Sequence, residues 1–270
     1  MTREMHELEK WLFIAEKAAR GAGAFLSRTK IKDNKILADL GKDVKISADL
    51  HSEKIIVNML RAKSEFDILT EERGFLPGNS EKRFLWIIDP LDGTMNFLRG
   101  IPISCVSVGL WRGEEPLLGV IYDFNKNELF SGIAGKIAFL NQRRIRVSAV
   151  SKEANAVLCT GFPVSADFSS GGILKFTKQI QSYKKVRLIG SAALSLAYVA
   201  AGRADVYREN NIMLWDVAAG VAIVTGAGGK VQMLPLAKEN TFSVYASNRR
   251  LFRQNLKDKK WIFKESSVRK

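Results

Sequence analysis

The residues of this chain best suited to chemistry are its carboxylates, and their densest arrangement is Asp89-Pro90-Leu91-Asp92-Gly93-Thr94. The segment follows Phe84-Leu85-Trp86-Ile87-Ile88, an apolar run that reads as a buried strand with an abrupt end. Asp89 and Asp92 stand three apart across a tight turn, so their side chains can converge. Gly93 permits a backbone geometry that other residues resist. Thr94 is placed to open a helix, where free N–H groups and the helix dipole favour a phosphate. Two convergent acids beside an anion cradle suit a hard cation and a phosphate. A capped turn carrying a solvated Asp-Gly is the competing reading of this segment.

Two more acid sites bear on that choice. Glu71 and Glu72 lie 18 and 17 residues before Asp89, at the end of a strand expected over Phe66–Leu69. A solvated turn equally explains the pair. Asp216 follows Trp215 and opens an apolar helix expected over 216–225, where a dipole-favoured cap is the other explanation. Taken together, the three sites favour a shared carboxylate centre.

The elements that must position these acids divide near Val147. The first half reads as helices over 5–28 and 49–62, then strands at 84–88, 103–111, 117–123, 128–133 and 137–140 in a mostly antiparallel sheet. Lys30–Ser47 reads as irregular or hairpin-like, and Gly74–Arg83 as a loop with turn chemistry at Pro77-Gly78-Asn79-Ser80. The second half alternates strands at 156–159, 186–189 and 205–208 with helices at 171–183, 191–201 and 216–225, an α/β pattern. The expected halves are 1–148, carrying most of the acids, and 149–270, carrying Asp216. For the tail from Lys257 to Lys270 the sequence favours neither a terminal strand and helix nor partial disorder.

Composition narrows the chemistry. With 270 residues, 46% of them hydrophobic and 26% charged, the chain is long enough for a substantial core. His6 and His51 are the only histidines, and Cys105 and Cys159 the only cysteines. A zinc site would need nearly all of them, a Ser-His-Asp triad is poorly supplied, and a disulfide scaffold is excluded. The cysteines fit a reducing cytoplasm. The longest apolar stretch, Ala192–Ala201, falls short of the roughly 20 residues of a membrane span. The start MTREMHELEK lacks a signal core. The net charge of +14 suits nucleic acid, an acidic surface or anionic substrates, and equally a general surface bias. It is densest at 142–146, 184–187 and 249–270.

The segments TEE (70–72), WIIDPLDGTMNF (86–97), GSAA (190–193) and WDVAAG (215–220) resemble the inositol monophosphatase family of magnesium-dependent, lithium-sensitive phosphatases. The resemblance runs from about residue 5 to residue 248. It implies a layered αβαβα sandwich of the inositol monophosphatase and fructose-1,6-bisphosphatase type. It also implies two to three Mg2+ per active site. Glu71, Asp89 and the Leu91 carbonyl would hold the first ion, and Asp89, Asp92 and Asp216 the second. Glu71 would share a third, weaker one through waters. Thr94, hydrogen-bonded to Asp49, would help Glu71 orient and deprotonate the attacking water, and Glu72 would support this shell. The Gly93 and Thr94 amides would bind the phosphate. Met95 and Thr70 depart from the family, which has a small hydroxyl residue and a glycine there.

For substrate, Glu209 in RENNIMLWD and the pair Ser191 and Ala192 resemble the inositol monophosphatase branch, where the acid takes a substrate hydroxyl. A surface-loop acid is the other reading of Glu209. A carboxylate there suits a small phosphorylated polyol or sugar and would repel a second phosphate, without excluding fructose 1,6-bisphosphate. The resemblance further implies a homodimer. Some bacterial members act in RNA-associated regulation, so nucleic acid stays open as a partner.

Overall fold

The alanine-rich stripe of the N-terminal segment finds its face on helix α1 (Arg3–Leu26), which buries Leu12, Ala15, Ala19 and Ala22. The computed structural model describes residues 3–29, 35–39, 44–80, 83–162 and 167–257. Short strands β1 (Ile36–Asp39) and β2 (Val44–Ile46) pair antiparallel, realising the hairpin expected before helix α2 (Ser47–Arg61) within the described residues. Then come β3 (Asp67–Thr70), β4 (Gly74–Leu76), β5 (Phe84–Asp92), the short helix α3 (Thr94–Leu98), β6 (Cys105–Arg112), β7 (Glu115–Asp123), β8 (Glu128–Ile133), β9 (Ile137–Leu140) and β10 (Arg143–Arg144). They form an eight-stranded sheet in the order β10-β9-β8-β7-β6-β5-β3-β4. Every pairing in it is antiparallel except β3 with β5.

The second sheet follows from β11 (Val157–Cys159), helix α4 (Ser170–Ile180), β12 (Lys185–Arg187), helix α5 (Ala192–Ala200), β13 (Val206–Met213), helix α6 (Leu214–Gly226), β14 (Lys230–Pro235), β15 (Thr241–Ser247) and helix α7 (Arg249–Lys257). Its order is β12-β11-β13-β15-β14, parallel on the β12 side and antiparallel on the β14 side.

Burial stacks these elements in layers. One face of the large sheet, with Trp86, Ile88, Val108 and Val120, packs on α1 and α2. The other, with Ile87, Ile121 and Phe130, packs on α5 and α6, which also bury against Tyr207, Val244 and Ala246 of the second sheet. The far face of that sheet, with Leu158, Val206 and Tyr245, meets Ile180, Leu251 and Phe252 of α4 and α7. The architecture is the expected αβαβα sandwich. No described helix is long and apolar enough to cross a membrane.

A line of glycines fixes α6. Gly109 pairs with Gly119, and Gly119 with Gly132, across β6, β7 and β8. A Cβ on Gly119 would stand 2.1 Å from the Ala219 carbonyl oxygen, so only glycine lets the helix backbone lie this close.

Some expectations need correction. Gly74–Leu76 is an edge strand and not loop, because its backbone pairs with Ile68–Thr70. The strand expected over 205–208 runs on to Met213, held by β15. Strands β14 and β15 have no counterpart in the sequence reading. Ser191 precedes α5 as its cap and is not within the helix. The basic clusters Arg143–Arg144 and Lys184–Arg187 fall on or beside the edge strands β10 and β12, where like charges discourage strand addition. The question of the tail from Lys257 onward concerns residues beyond 257, outside the described residues.

Candidate active site

The parallel pairing of β3 and β5 decides where the acids meet. Thr70, the last residue of β3, lies opposite Ile88, one residue before Asp89 in β5, and the Glu71 amide donates to the Ile88 carbonyl (3.3 Å). Glu71 thus emerges beside Asp89. The end of β5 bulges, its register against β6 slipping between Asp89 and Asp92, and there Asp89 Oδ1 accepts from the Leu91 amide (3.0 Å). It is tied to α2 by the Ser52 hydroxyl, which donates to the Pro90 carbonyl (2.7 Å). Gly93 follows at φ +89°, and a Cβ there would stand 2.8 Å from the Ile103 carbonyl oxygen. Thr94 then opens α3, as expected. Asp216 comes from the first turn of α6 and accepts from the Met213 amide (3.2 Å). The cap reading of Asp216 therefore holds, and the same carboxylate faces the other acids.

These ends enclose a cavity of about 280 Å³. Of the residues singled out in the sequence, Glu71, Asp89, Leu91, Asp92, Gly93, Thr94, Ser191, Ala192, Glu209 and Asp216 line it. Asp49 and Glu72 do not. No lysine, arginine or histidine is among the described residues on its wall.

Such a wall is costly to ionise. Burial drives the Asp89 carboxyl well above its usual range, and the charges of Glu71, Asp92 and Asp216 push it further. Asp216 is raised in the same way, by burial and then by Glu71, Asp92 and Glu209. Asp92 is raised by burial, against hydrogen bonds from Ser191, Ala193 and Cys105 that favour its anion. These bonds hold Asp92 Oδ2: the Ser191 hydroxyl donates to it, as do the Ala193 amide (2.8 Å) and the Cys105 thiol (3.7 Å). Among the described residues no three His, Cys, Asp or Glu side chains form a finished metal cage. The donor set nevertheless fits a hard cation, being carboxylates and the Leu91 carbonyl, all oxygen, with no countercharge of their own.

Several site residues differ from expectation. The Thr94 hydroxyl donates to the Leu91 carbonyl (3.0 Å), while Asp49 Oδ2 accepts the Ile46 amide at the start of α2 (2.8 Å). The tight turn puts the Leu91 carbonyl nearest Thr94, so no Thr94–Asp49 bond is formed. Glu72 pairs with Lys45 (3.1 Å), which steadies the turn carrying Glu71. Ser191 engages Asp92 and also caps α5, accepting from the Leu194 amide (3.2 Å). Glu209 is no surface acid: it is buried within β13 and accepts the Tyr207 hydroxyl (3.1 Å).

The sequence reading missed Thr160, Gly161, Phe162, Gly190, Ser195 and Ile212, which also line the cavity. Thr160–Phe162 follow the carboxyl end of parallel strand β11, the usual side for ligands in an α/β sheet, and that position was the available signal.

The sequence pattern that defines the inositol monophosphatase family matches residues 7–261. The chain belongs to the inositol monophosphatase family. It is 39% identical over 250 residues to an inositol-1-monophosphatase of Caulobacter vibrioides, covering 90% of this chain and 96% of that protein. It is 44% identical over 222 residues to a protein of Xylella fastidiosa named Nus factor SuhB, covering 81% of this chain and 80% of that one. A solved inositol monophosphatase structure from Anabaena superposes with a TM-score of 0.78 at 38% identity, covering 92% and 94% of the two chains. The four segments that carried the resemblance supply Glu71, Asp89, Asp92, Ser191, Ala192 and Asp216 of the cavity wall.

Glu209 gives this family member a measurable pH signature. Burial raises its carboxyl to about 8, although the Tyr207 hydroxyl pulls it down; the Asp92 charge adds to the rise. The folded chain then keeps a proton that the unfolded chain releases in the ordinary carboxylate range. This group's contribution to stability is full below that range and falls as pH rises toward about 8. In protein freed of divalent ions, Glu209→Gln should therefore lose less melting temperature than wild type between about pH 5 and about pH 8. Equal slopes would show that Glu209 is already ionised in the fold.

Proposed function

We propose that the cavity hydrolyses a small phosphate monoester, first of all myo-inositol monophosphate, with Mg2+ held by its acids. The observation that carries this reading is the gathering of Glu71, Asp89, Asp92 and Asp216 on one wall without a basic side chain among the described residues. The names of the Caulobacter and Anabaena relatives supply the substrate class. Glu71, Asp89 and the Leu91 carbonyl would hold one ion, Asp89, Asp92 and Asp216 a second, and Glu71 a third through water. Bound Mg2+ supplies countercharge and Lewis acidity for in-line displacement at phosphorus.

The chain's own residues do the rest. The Gly93 and Thr94 amides hold the phosphate oxygens, and Glu71 takes the proton of the attacking water. The water oxygen bonds to phosphorus, the ester P–O bond breaks, and the departing alcohol takes a proton from water. Positioning and charge neutralisation are what phosphoryl transfer needs most. Thr94 acts through the Leu91 carbonyl and not through Asp49, which anchors the start of α2. Glu209 takes a substrate hydroxyl, with Ala192 beside it and Ser191 acting through Asp92. Halves 1–148 and 149–270 divide the work: the first brings most of the acids, the second Asp216 and the substrate contacts. Fructose 1,6-bisphosphate, or another sugar or polyol phosphate, is the alternative within the same chemistry. A lithium-sensitive, cytoplasmic homodimer belongs to this reading.

The +14 charge and the relative named Nus factor SuhB favour a second reading, an RNA-associated role. Such binding should fall steeply with salt, because phosphate contacts release counterions. A filter-binding series that detects no RNA complex even at low salt would remove it.

For the hydrolytic reading, Asp89→Asn should lower phosphate release from inositol 1-phosphate by about a thousandfold or more, the scale of losing a central electrostatic group. Its melting temperature without divalent ions should hold or rise, since a buried carboxyl is replaced by a neutral isostere. Turnover near the wild-type rate would refute the assignment of Asp89.

A further inference from the structure

A second cavity, of about 210 Å³, lies behind Glu209. It shares Thr160, Gly161, Phe162 and Glu209 with the first, so the two adjoin. Helix α4 forms one wall. The other is a bulge in β13, where the register against β15 slips between Glu209 and Ile212 and Asn211 adopts φ +60°. The slip places Asn210 and Asn211 on the cavity wall, next to Ser243 of β15.

Two features of this wall point to a ligand. Ser243 is completely buried, and neither its hydroxyl nor Asn210 Oδ1 has a hydrogen-bond partner among the described residues. Buried oxygens left unpaired are costly, and because Asn210 and Ser243 line the cavity, a turn of either side chain toward it would let a ligand's hydroxyl satisfy the oxygen. Phe162, at the junction of the cavities, lies 4.2 Å from Phe176 of α4 between ring centroids and keeps 39% of its surface exposed. An apolar ring face beside a few fixed polar atoms suits a hydroxylated ring.

Charge argues against a second phosphate. Lys175 and Arg208 face the cavity; Asp167 on the same wall offsets Lys175, while Glu209, raised to about 8 by burial, keeps its proton and offsets neither. The Arg208 guanidinium already interacts with Tyr183, Tyr245 and Glu153.

We propose that this cavity is a second substrate subsite, taking a neutral hydroxylated ring joined to the alcohol of the phosphate ester. The inference rests on the phosphatase reading and extends it to two-ring polyhydroxyl monoesters. Recognition of hydroxyls by buried polar groups discriminates strongly against ligands that lack them.

The test compares initial rates on one-ring esters, inositol 1-phosphate and glucose 6-phosphate, with the 6-phosphates of trehalose, maltose, cellobiose and sucrose. At least one two-ring ester should show kcat/KM about tenfold or more above glucose 6-phosphate. Gln179→Trp fills the cavity from α4, none of whose residues is buried, so the fold should tolerate it. The variant should lose that advantage while keeping the wild-type rate on one-ring esters. Turnover confined to one-ring esters, or a two-ring advantage that survives Gln179→Trp, would overturn the subsite and leave the phosphatase reading standing. A preference for fructose 1,6-bisphosphate abolished by the same variant would overturn the neutral-ring assignment. Failure to turn over either class would overturn both readings.

Discussion

The gathering of Glu71, Asp89, Asp92 and Asp216 on one wall, with no basic side chain among the described residues there, is the constraint around which this molecule is arranged. Buried carboxylates that face one another cannot all ionise without countercharge; they hold protons or take up cations. The chain balances these outcomes. Asp89, Asp92 and Asp216 each receive a backbone N–H, from Leu91, Ala193 and Met213, which favours the anion. Burial still leaves all three raised, and repulsion from neighbouring acids adds to it at Asp89 and Asp216. Among the described residues no basic side chain on this wall supplies countercharge, and an oxygen-rich wall of this kind suits a hard cation.

Holding that wall together takes both halves of the fold. A single parallel pairing in an otherwise antiparallel sheet brings Glu71 to the same end as Asp89. Run antiparallel, β3 would deliver Glu71 at the opposite end of β5. Asp216 arrives on a helix pressed between two sheets, and its depth depends on the glycines that admit the α6 backbone against β7. Asn96 joins the halves: its side-chain N–H₂ donates to the carbonyls of Ile103 and Ile189, both at 2.8 Å. The turn at Gly93–Thr94 and the turn at Gly190–Ala192 are thereby fixed relative to each other.

Much of this was legible where local pattern and chemistry coincide. The run Phe84–Ile88 reads as a buried strand because parallel or central strands are apolar on both faces, and its acids mark the strand's end. Helices α1, α2 and α6 follow from their apolar spacing. What escaped was set by distant partners. Gly74–Leu76 carries little strand character, and β3 makes it a strand. The bulge at Asn210–Asn211 exists only against β15, itself unread in the sequence. Asp49 was the expected acceptor of the Thr94 hydroxyl, and the closure of the turn, not the residue type, gives that role to the Leu91 carbonyl. For Glu209 the sequence left a surface-loop alternative open, because its burial comes from the sheet around it, with the Tyr207 hydroxyl donating to it.

The central claim is that these carboxylates are a cation site, and anomalous diffraction from crystals soaked in Mn2+, a redox-stable stand-in for Mg2+, tests it most directly. Peaks should appear between Glu71, Asp89 and the Leu91 carbonyl, and between Asp89, Asp92 and Asp216, with Asp92 turned toward its ion. Crystals that take up Mn2+ elsewhere, and show none at these carboxylates, would contradict the account.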